Sequence, residues 1–403
     1  MMNWEKRLQS WLSGHILWLG YGALLLLGLV LRYSYLPNLA ADLEFMNSSW
    51  YEAIEQGGMA AVLNPELQYT YSPLHLYLWT LATGLLSWLD THTALKLVSL
   101  FFEALTVAAA MSLLCAALPA RRKEMGSLIG FGLLWLSPVL LWNVAAWGQT
   151  DVCFVLFSLL AIGLLMKDKP EWGLVALGIS LAWKLQAIFL LPLFLIAYFC
   201  GRKRFSLLWF LAVPGVLALS GLPMALLGES PLFAVQIYLG QTDLYQKITY
   251  NCPNLYALMG QATEVKQAVQ GMFSRTGIGL CVAALGMMGV WMIRRRAVLE
   301  GENTLLLGAW CVLCCVFFLP RMHERYALAG EVLLLLWAVC VNRPRAYGWV
   351  LLEMLATLSA YAEYLFRHPF FSLQVGAVLN LAALLAVSVE TVTAVRLGKE
   401  SPS

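Results

Sequence analysis

Long apolar runs separated by short basic clusters make up almost the whole chain, a pattern that predicts helices crossing a bilayer. A hydrocarbon core about 30 Å thick needs roughly 20 apolar residues per spanning helix, and runs of that kind recur from residue 15 almost to the C-terminus. The clusters Lys6/Arg7, Arg121–Lys123, Lys167/Lys169, Arg202–Arg204, Arg294–Arg296, Arg343/Arg345 and Arg396/Lys399 hold 17 of the 26 basic residues. Short cytoplasmic loops are enriched in Lys and Arg, so an even number of crossings should separate each cluster from the next. That constraint yields an all-α polytopic transmembrane bundle with about twelve spanning helices: 15–34, 95–118, 126–143, 152–166, 172–183, 186–200, 205–224, 276–293, 303–319, 326–341, 347–365 and 371–395. Both termini fall on the cytoplasmic side.

Two segments carry the weight of this count. The run 73–89 contains Tyr71, Pro73, His75, Tyr77, Trp79 and Trp88 at or beside it, an aromatic and polar signature of the membrane interface. It is therefore expected as a juxtamembrane helix within one long external loop, 36–94. The stretch between Lys169 and Arg202 lies between two interior clusters, so it should hold two short helices that turn near Lys184. An ionisable group inside a spanning run is costly and usually faces protein or a water-lined cavity. A second long external segment, 225–275, holds Gln241, Asp243, Lys247 and the Pro253/Asn254 turn. No repeat or linker divides the chain, and residues 1–403 read as a single integral membrane domain.

Composition agrees, with 61% hydrophobic and 12% charged residues against about 25% charged in soluble domains. The net charge of +3 is small and the basic residues form no stripe, which argues against nucleic acid as a partner. Eight of the nine cysteines, all but Cys252, lie in apolar runs and behave as small hydrophobes. Cys311, Cys314 and Cys315 have no second ligand pair at zinc spacing. The run Ile16–Leu31 lacks an A-x-A cleavage site and is expected as a retained first helix.

With that topology, four polar clusters fall on the external side: Asp42/Glu44, the Trp147–Gly148–Gln149–Thr150–Asp151 segment, Lys184/Gln186, and Arg321–Met322–His323–Glu324–Arg325. Each directly adjoins an apolar helix, where a charge needs a partner, so one shared site is the economical explanation. Asp42 could take a proton from a hydroxyl as a general base, or merely cap the helix that follows. Asp151 likewise has a capping alternative, with Gln149 and Thr150 beside it to hold a sugar. Lys184, Arg321, His323 and Arg325 place positive charge where a departing phosphate would need it, the alternative for the arginines being interfacial snorkelling. Glu324 is expected to orient one of these cations. Two distant carboxylates define no coordination sphere, so the requirement for a divalent cation is left open.

The ordered set Asp42, Tyr71–Ser72–Pro73–Leu74, Trp147–Gly148–Gln149–Thr150–Asp151, Trp183–Lys184–Leu185–Gln186 and Arg321–Met322–His323–Glu324–Arg325–Tyr326 spans about 290 residues. It resembles the GT-C superfamily of polyprenyl-phosphate-sugar-dependent glycosyltransferases, nearest to bacterial membrane proteins related to GPI mannosyltransferase II. The resemblance implies an inverting transferase that moves a hexose, with mannose the expected sugar, to a glycan, glycolipid or protein acceptor. It places the active site at the external face of a bacterial cytoplasmic membrane. Asp42 would be the base; Lys184, His323, Arg321 and Arg325 would bind the donor phosphate; Glu44, Trp147, Gln149, Asp151, Gln186 and Glu324 would contact sugar or acceptor. Tyr71–Ser72–Pro73 departs from the family's usual Tyr-Pro-Pro. The competing reading is a transporter or flippase for a lipid-linked or small polar solute. Transporters place ionisable groups near the bilayer midplane and carry inverted repeats, and the sequence displays neither.

Overall fold

The computed structural model describes residues 2–200, 205–244, 247–264, 267–394 and 396–397. The Arg202–Arg204 cluster and Lys399 lie outside the described residues, as do the side chains of Gln241, Asp243 and Arg396. The chain is about 81% helical. Its first half runs α1 Met2–Tyr35, α2 Ser48–Gly57, α3 Pro73–Leu85, α4 Thr91–Ala117, α5 Lys123–Trp135, α6 Pro138–Leu141, α7 Asp151–Met166 and α8 Pro170–Trp183. The second half runs α9 Leu191–Phe199, α10 Ala212–Gly221, α11 Phe233–Leu244, α12 Gln267–Arg294, α13 Glu302–Phe318, α14 Leu328–Val341, α15 Pro344–Phe366 and α16 Leu373–Ala394. The β-structure among the described residues is minimal: Thr249–Tyr250 pairs in parallel with Met322–His323, and Ala297–Val298 pairs antiparallel with Arg396–Leu397.

Six stretches are long and apolar enough to cross a membrane: Trp4–Tyr35, Thr91–Ala117, Ala120–Ala146, Leu207–Leu227, Gly271–Arg294 and Leu373–Ala394. The chain is thus an all-α protein of membrane character. Helix occurs in each of the twelve expected intervals, and six of the stretches meet the length and composition of a crossing by themselves. The rest follow a physical pattern. Four shorter apolar helices, Asp151–Met166, Leu185–Phe199, Glu302–Phe318 and Leu328–Val341, complete the apolar set. Of these, α13 and α14 are buried along nearly their whole lengths. Helices sheltered by protein need not match the hydrocarbon thickness themselves. By contrast α1, exposed along most of its length, has 32 residues of spanning character.

The segment between α1 and α4 builds its own core. Leu43, Trp50, Tyr51, Ile54, Val62, Leu76 and Trp79 pack there with Ala94, Leu95 and Val98 of α4. At 13 residues, α3 is only about 20 Å long, too short to span. Pro73 at its first turn needs no hydrogen-bonded N–H, and Ser72 before it is extended, as a residue preceding proline should be.

Ionisable groups do lie inside the helical bundle, contrary to the expectation from sequence. Arg32 of α1 and Glu103 of α4 form a buried pair, with Nε and Nη2 donating to the two carboxylate oxygens at 2.8 and 2.5 Å. The guanidinium also lies 3.6 Å from the Trp135 ring and donates to the Gly28 and Trp135 carbonyls. Glu331 of α14 and Glu353 of α15 are also buried, and Thr357 donates to Glu331. These residues were legible only as isolated charges until the helices carrying them were packed together.

Removing one partner of a buried pair leaves an uncompensated charge. Arg32→Met should therefore destabilise the protein by about 3–5 kcal/mol, and Arg32→Met combined with Glu103→Leu should recover most of that. Thermal unfolding in detergent checks both; equal losses in the single and double variants would show that the pair does not act as a unit.

Candidate functional site

A broken helix brings the first half of the site together. After α5, Ser137 is extended ahead of Pro138, and the chain re-enters helix only briefly through α6 before a π-helical turn, Trp142–Ala146. Turns of this type are rare and recur at functional sites. Gly148 then adopts φ +80, a left-handed value suited to glycine, and a Cβ on it would meet Leu43 at 3.0 Å. This close approach sets the Trp147–Gln149 segment against the residue following Asp42.

Asp42 precedes the π-helical turn Leu43–Asn47 but makes no side-chain cap, which removes the capping alternative. Its Oδ1 instead accepts the Trp147 indole N–H at 2.7 Å, and its Oδ2 accepts from the Gln149 amide. Each carboxylate oxygen keeps a further lone pair for a hydroxyl. Trp147 is fully buried, stacked at 4.4 Å on Tyr364 and edge-on to Tyr361 at 5.3 Å, so the indole that orients Asp42 is itself fixed.

Asp151 is the first residue inside α7, one past the N-cap position at Thr150, and its carboxylate is taken up by other side chains rather than by capping. It has no exposed surface. Lys184 Nζ reaches its Oδ1 at 2.5 Å, Asn143 donates to Oδ2 at 3.0 Å, and Arg325 Nε lies 3.4 Å from Oδ2, near enough for ion pairing although not aligned as a hydrogen bond. Both oxygens are thus engaged. Asp151 anchors two cations, and the expected direct contact with sugar or acceptor does not fit a carboxylate so enclosed. Lys184 reaches it because α8 ends at Trp183 and the chain is extended at Lys184 before the 3₁₀ turn Leu185–Leu190.

The two halves meet at Arg325, whose guanidinium lies 5.4 Å from the centre of the Trp147 ring, while Lys184 faces Tyr71 at 5.6 Å. Tyr71, His75, Lys184, Gln186, Tyr238 and Arg325 line a cleft of about 40 Å³ beside them. Gln186 Oε1 is buried and without a hydrogen-bond partner, a group positioned to receive a ligand's hydroxyl. His75 shares hydrogen bonds with Ser72 at 3.1 Å and Thr150 at 2.9 Å. Burial and the nearby Lys184 charge hold it well below the usual imidazole range.

Two other expected contributors stand apart. Glu44 is exposed and its side chain makes no hydrogen bond or ion pair among the described residues; Arg321 is exposed on the loop, at φ +63, with its backbone N–H on the Ile248 carbonyl at 2.7 Å. Neither is in the buried network. His323 stacks on Tyr250 at 4.7 Å, and burial, with the Arg325 and Lys184 charges, lowers its pKa to about 2. It is a neutral imidazole at physiological pH, so the positive charge expected there comes from Lys184 and Arg325 alone. Glu324 shows the reverse. Burial, opposed by Arg325 but reinforced by Asp42 and Asp151, pushes it up to about 7.

Asn143, Tyr361, Tyr364 and His75 join the site without a signal in the sequence, because each is an ordinary apolar-run or interface residue until the chain folds. Among the described residues no group of three or more His, Cys, Asp or Glu could hold a metal ion. A much larger cavity, about 620 Å³, lies elsewhere, lined by α4, α7 and α8 near Lys167 and Glu300. No family model matches the chain, and no curated protein matches it significantly.

Glu324 holds its proton more tightly folded than unfolded, so stability should fall as pH rises from the ordinary 4.5 through about 7 and then level off. His323 works oppositely: its unfolded imidazole protonates below 6.5, so stability falls as pH drops beneath that value. Chemical denaturation across this window should show the wild type losing stability relative to Glu324→Gln as pH rises. Parallel curves would mean that Glu324 does not titrate there.

Proposed function

We propose that the chain is a GT-C-like inverting glycosyltransferase that moves a hexose, mannose being the favoured sugar, from a polyprenyl-phosphate donor to a hydroxyl of a glycan, glycolipid or protein. The observation that carries this reading is the continuous network in which a partly exposed, doubly oriented carboxylate, Asp42, adjoins two cations held by one buried carboxylate. Lys184 and Arg325 both line the cleft beside Asp151, where they would meet a phosphate. In the reaction, the acceptor oxygen attacks the anomeric carbon as the carbon–oxygen bond to phosphate breaks. The phosphate leaves with the bonding electron pair, towards Lys184 and Arg325, while Asp42 takes the hydroxyl proton. Aromatic faces at Tyr71, Trp183 and Tyr238 suit the apolar side of a sugar ring. On this reading the twelve-crossing topology holds, the site faces the exterior of a bacterial cytoplasmic membrane, and both termini are cytoplasmic.

A transporter remains the second reading because Glu331 and Glu353 are buried carboxylates on adjoining helices, the kind of group that marks ion or proton paths.

Purified protein in vesicles should transfer label from a radiolabelled polyprenyl-phosphate hexose to a hydroxyl acceptor. Asp42→Asn should insert and fold normally yet lose at least about 100-fold in rate, the usual scale for a general base. Full activity in that variant would remove Asp42 as the base, and solute uptake or lipid scrambling without glycoside formation would favour the transporter.

A further inference from the structure

Lys96 has no exposed surface, and among the described residues its ammonium pairs with no carboxylate. It is surrounded instead by backbone carbonyls from two separate stretches of chain. Nζ lies 3.0 Å from Tyr35 O and 3.1 Å from Leu36 O, contacts Asn38 O, and lies 2.9 and 3.5 Å from Ala145 O and Ala146 O. Three N–H groups are thus shared among five acceptors. The first stretch leads into Asp42, four residues beyond Asn38; the second leads into Trp147, the next residue after Ala146, and on to Gln149.

The same face of α4 carries further polar groups at helical spacing. Ser99 Oγ donates to Gly148 O at 3.3 Å, and Thr106 Oγ1 donates to Val152 O at 2.9 Å. Outside α4 itself these two bond the 148–152 segment, whereas Lys96 also holds the exit of α1. An ammonium in a buried position with no anion is costly, and packing alone would be served by an apolar side chain. Five carbonyl dipoles converging on one point, in contrast, repel one another unless a cation lies between them.

We infer that Lys96 is a positioning residue for the proposed base: it fixes the chain entering Asp42 against the turn that supplies Trp147 and Gln149, so that the carboxylate is held in its doubly hydrogen-bonded orientation. This inference rests on the transferase reading for its catalytic consequence, but the clamp itself does not.

The test compares wild type, Lys96→Met, Asp42→Asn and the double variant, with Lys96→Gln, which keeps N–H donors without charge, in place of Lys96→Met if the latter does not fold. Loss of the clamp should lower kcat by about 100-fold, the scale of a misplacement near 1 Å, and leave KM for the lipid donor unchanged. The double variant should be no slower than Asp42→Asn, because placement ceases to matter once the base is gone. Hydrogen–deuterium exchange should rise in residues 38–47 and 143–150 and stay unchanged in 107–117. Wild-type kcat and exchange in the folded Lys96 variant, or additive losses in the double variant, would overturn the inference. Should wild type make no glycoside, the transferase reading fails, and the exchange arm still decides whether Lys96 clamps the two segments.

Discussion

A carboxylate sealed from solvent has to be neutralised where it lies, and Asp151 is the group around which the site's other charges are arranged. It opens α7 and draws in Lys184 from the break after α8 and Arg325 from the loop before α14. Three segments well separated in sequence must therefore reach the same end of the bundle. The Lys184 break follows from this requirement: a continuous helix through 170–199 would leave the ammonium without that partner. The two cations share this one carboxylate, and Asp42 lies close enough to act on Arg325 as well.

Polar groups on one face of α4 contribute the second level of order. Lys96, Ser99 and Thr106 meet backbone carbonyls of the 145–152 segment, and Glu103 latches α1 through Arg32. Helical periodicity places these side chains on a common face, so a single rigid element sets the register of a stretch that is itself irregular. Irregular backbone inside an apolar bundle is tolerable only where its carbonyls find partners. The π-helical turn and the left-handed Gly148 both meet this face.

The network also separates two kinds of acid. Asp42 and Asp151 are satisfied by indole, amide and cationic donors, whereas Glu331 has one oxygen without a hydrogen-bond partner and lies near Glu353 rather than a cation. The first kind is fixed in place by its donors; the second is not. Both reside in one chain. The contrast explains why absence of midplane charge, read from the sequence, could not by itself exclude transport.

Membrane character and the run of helices were legible in the sequence, since each depends on local hydropathy and on the cost of exposing backbone to lipid. Lys184 announced its own break, because a charge amid apolar residues violates that local pattern. Lys96, Arg32 and Glu103 carried the same signal, yet their partners lie 49, 71 and 71 residues away, and nothing local identifies a partner at such separation. Tertiary packing decided that Asp42 and Asp151 are not caps, that His323 is neutral, and that Glu44 and Arg321 lie at the surface. These outcomes depend on burial and on which groups meet across the bundle, quantities that exist only once the helices have been brought together.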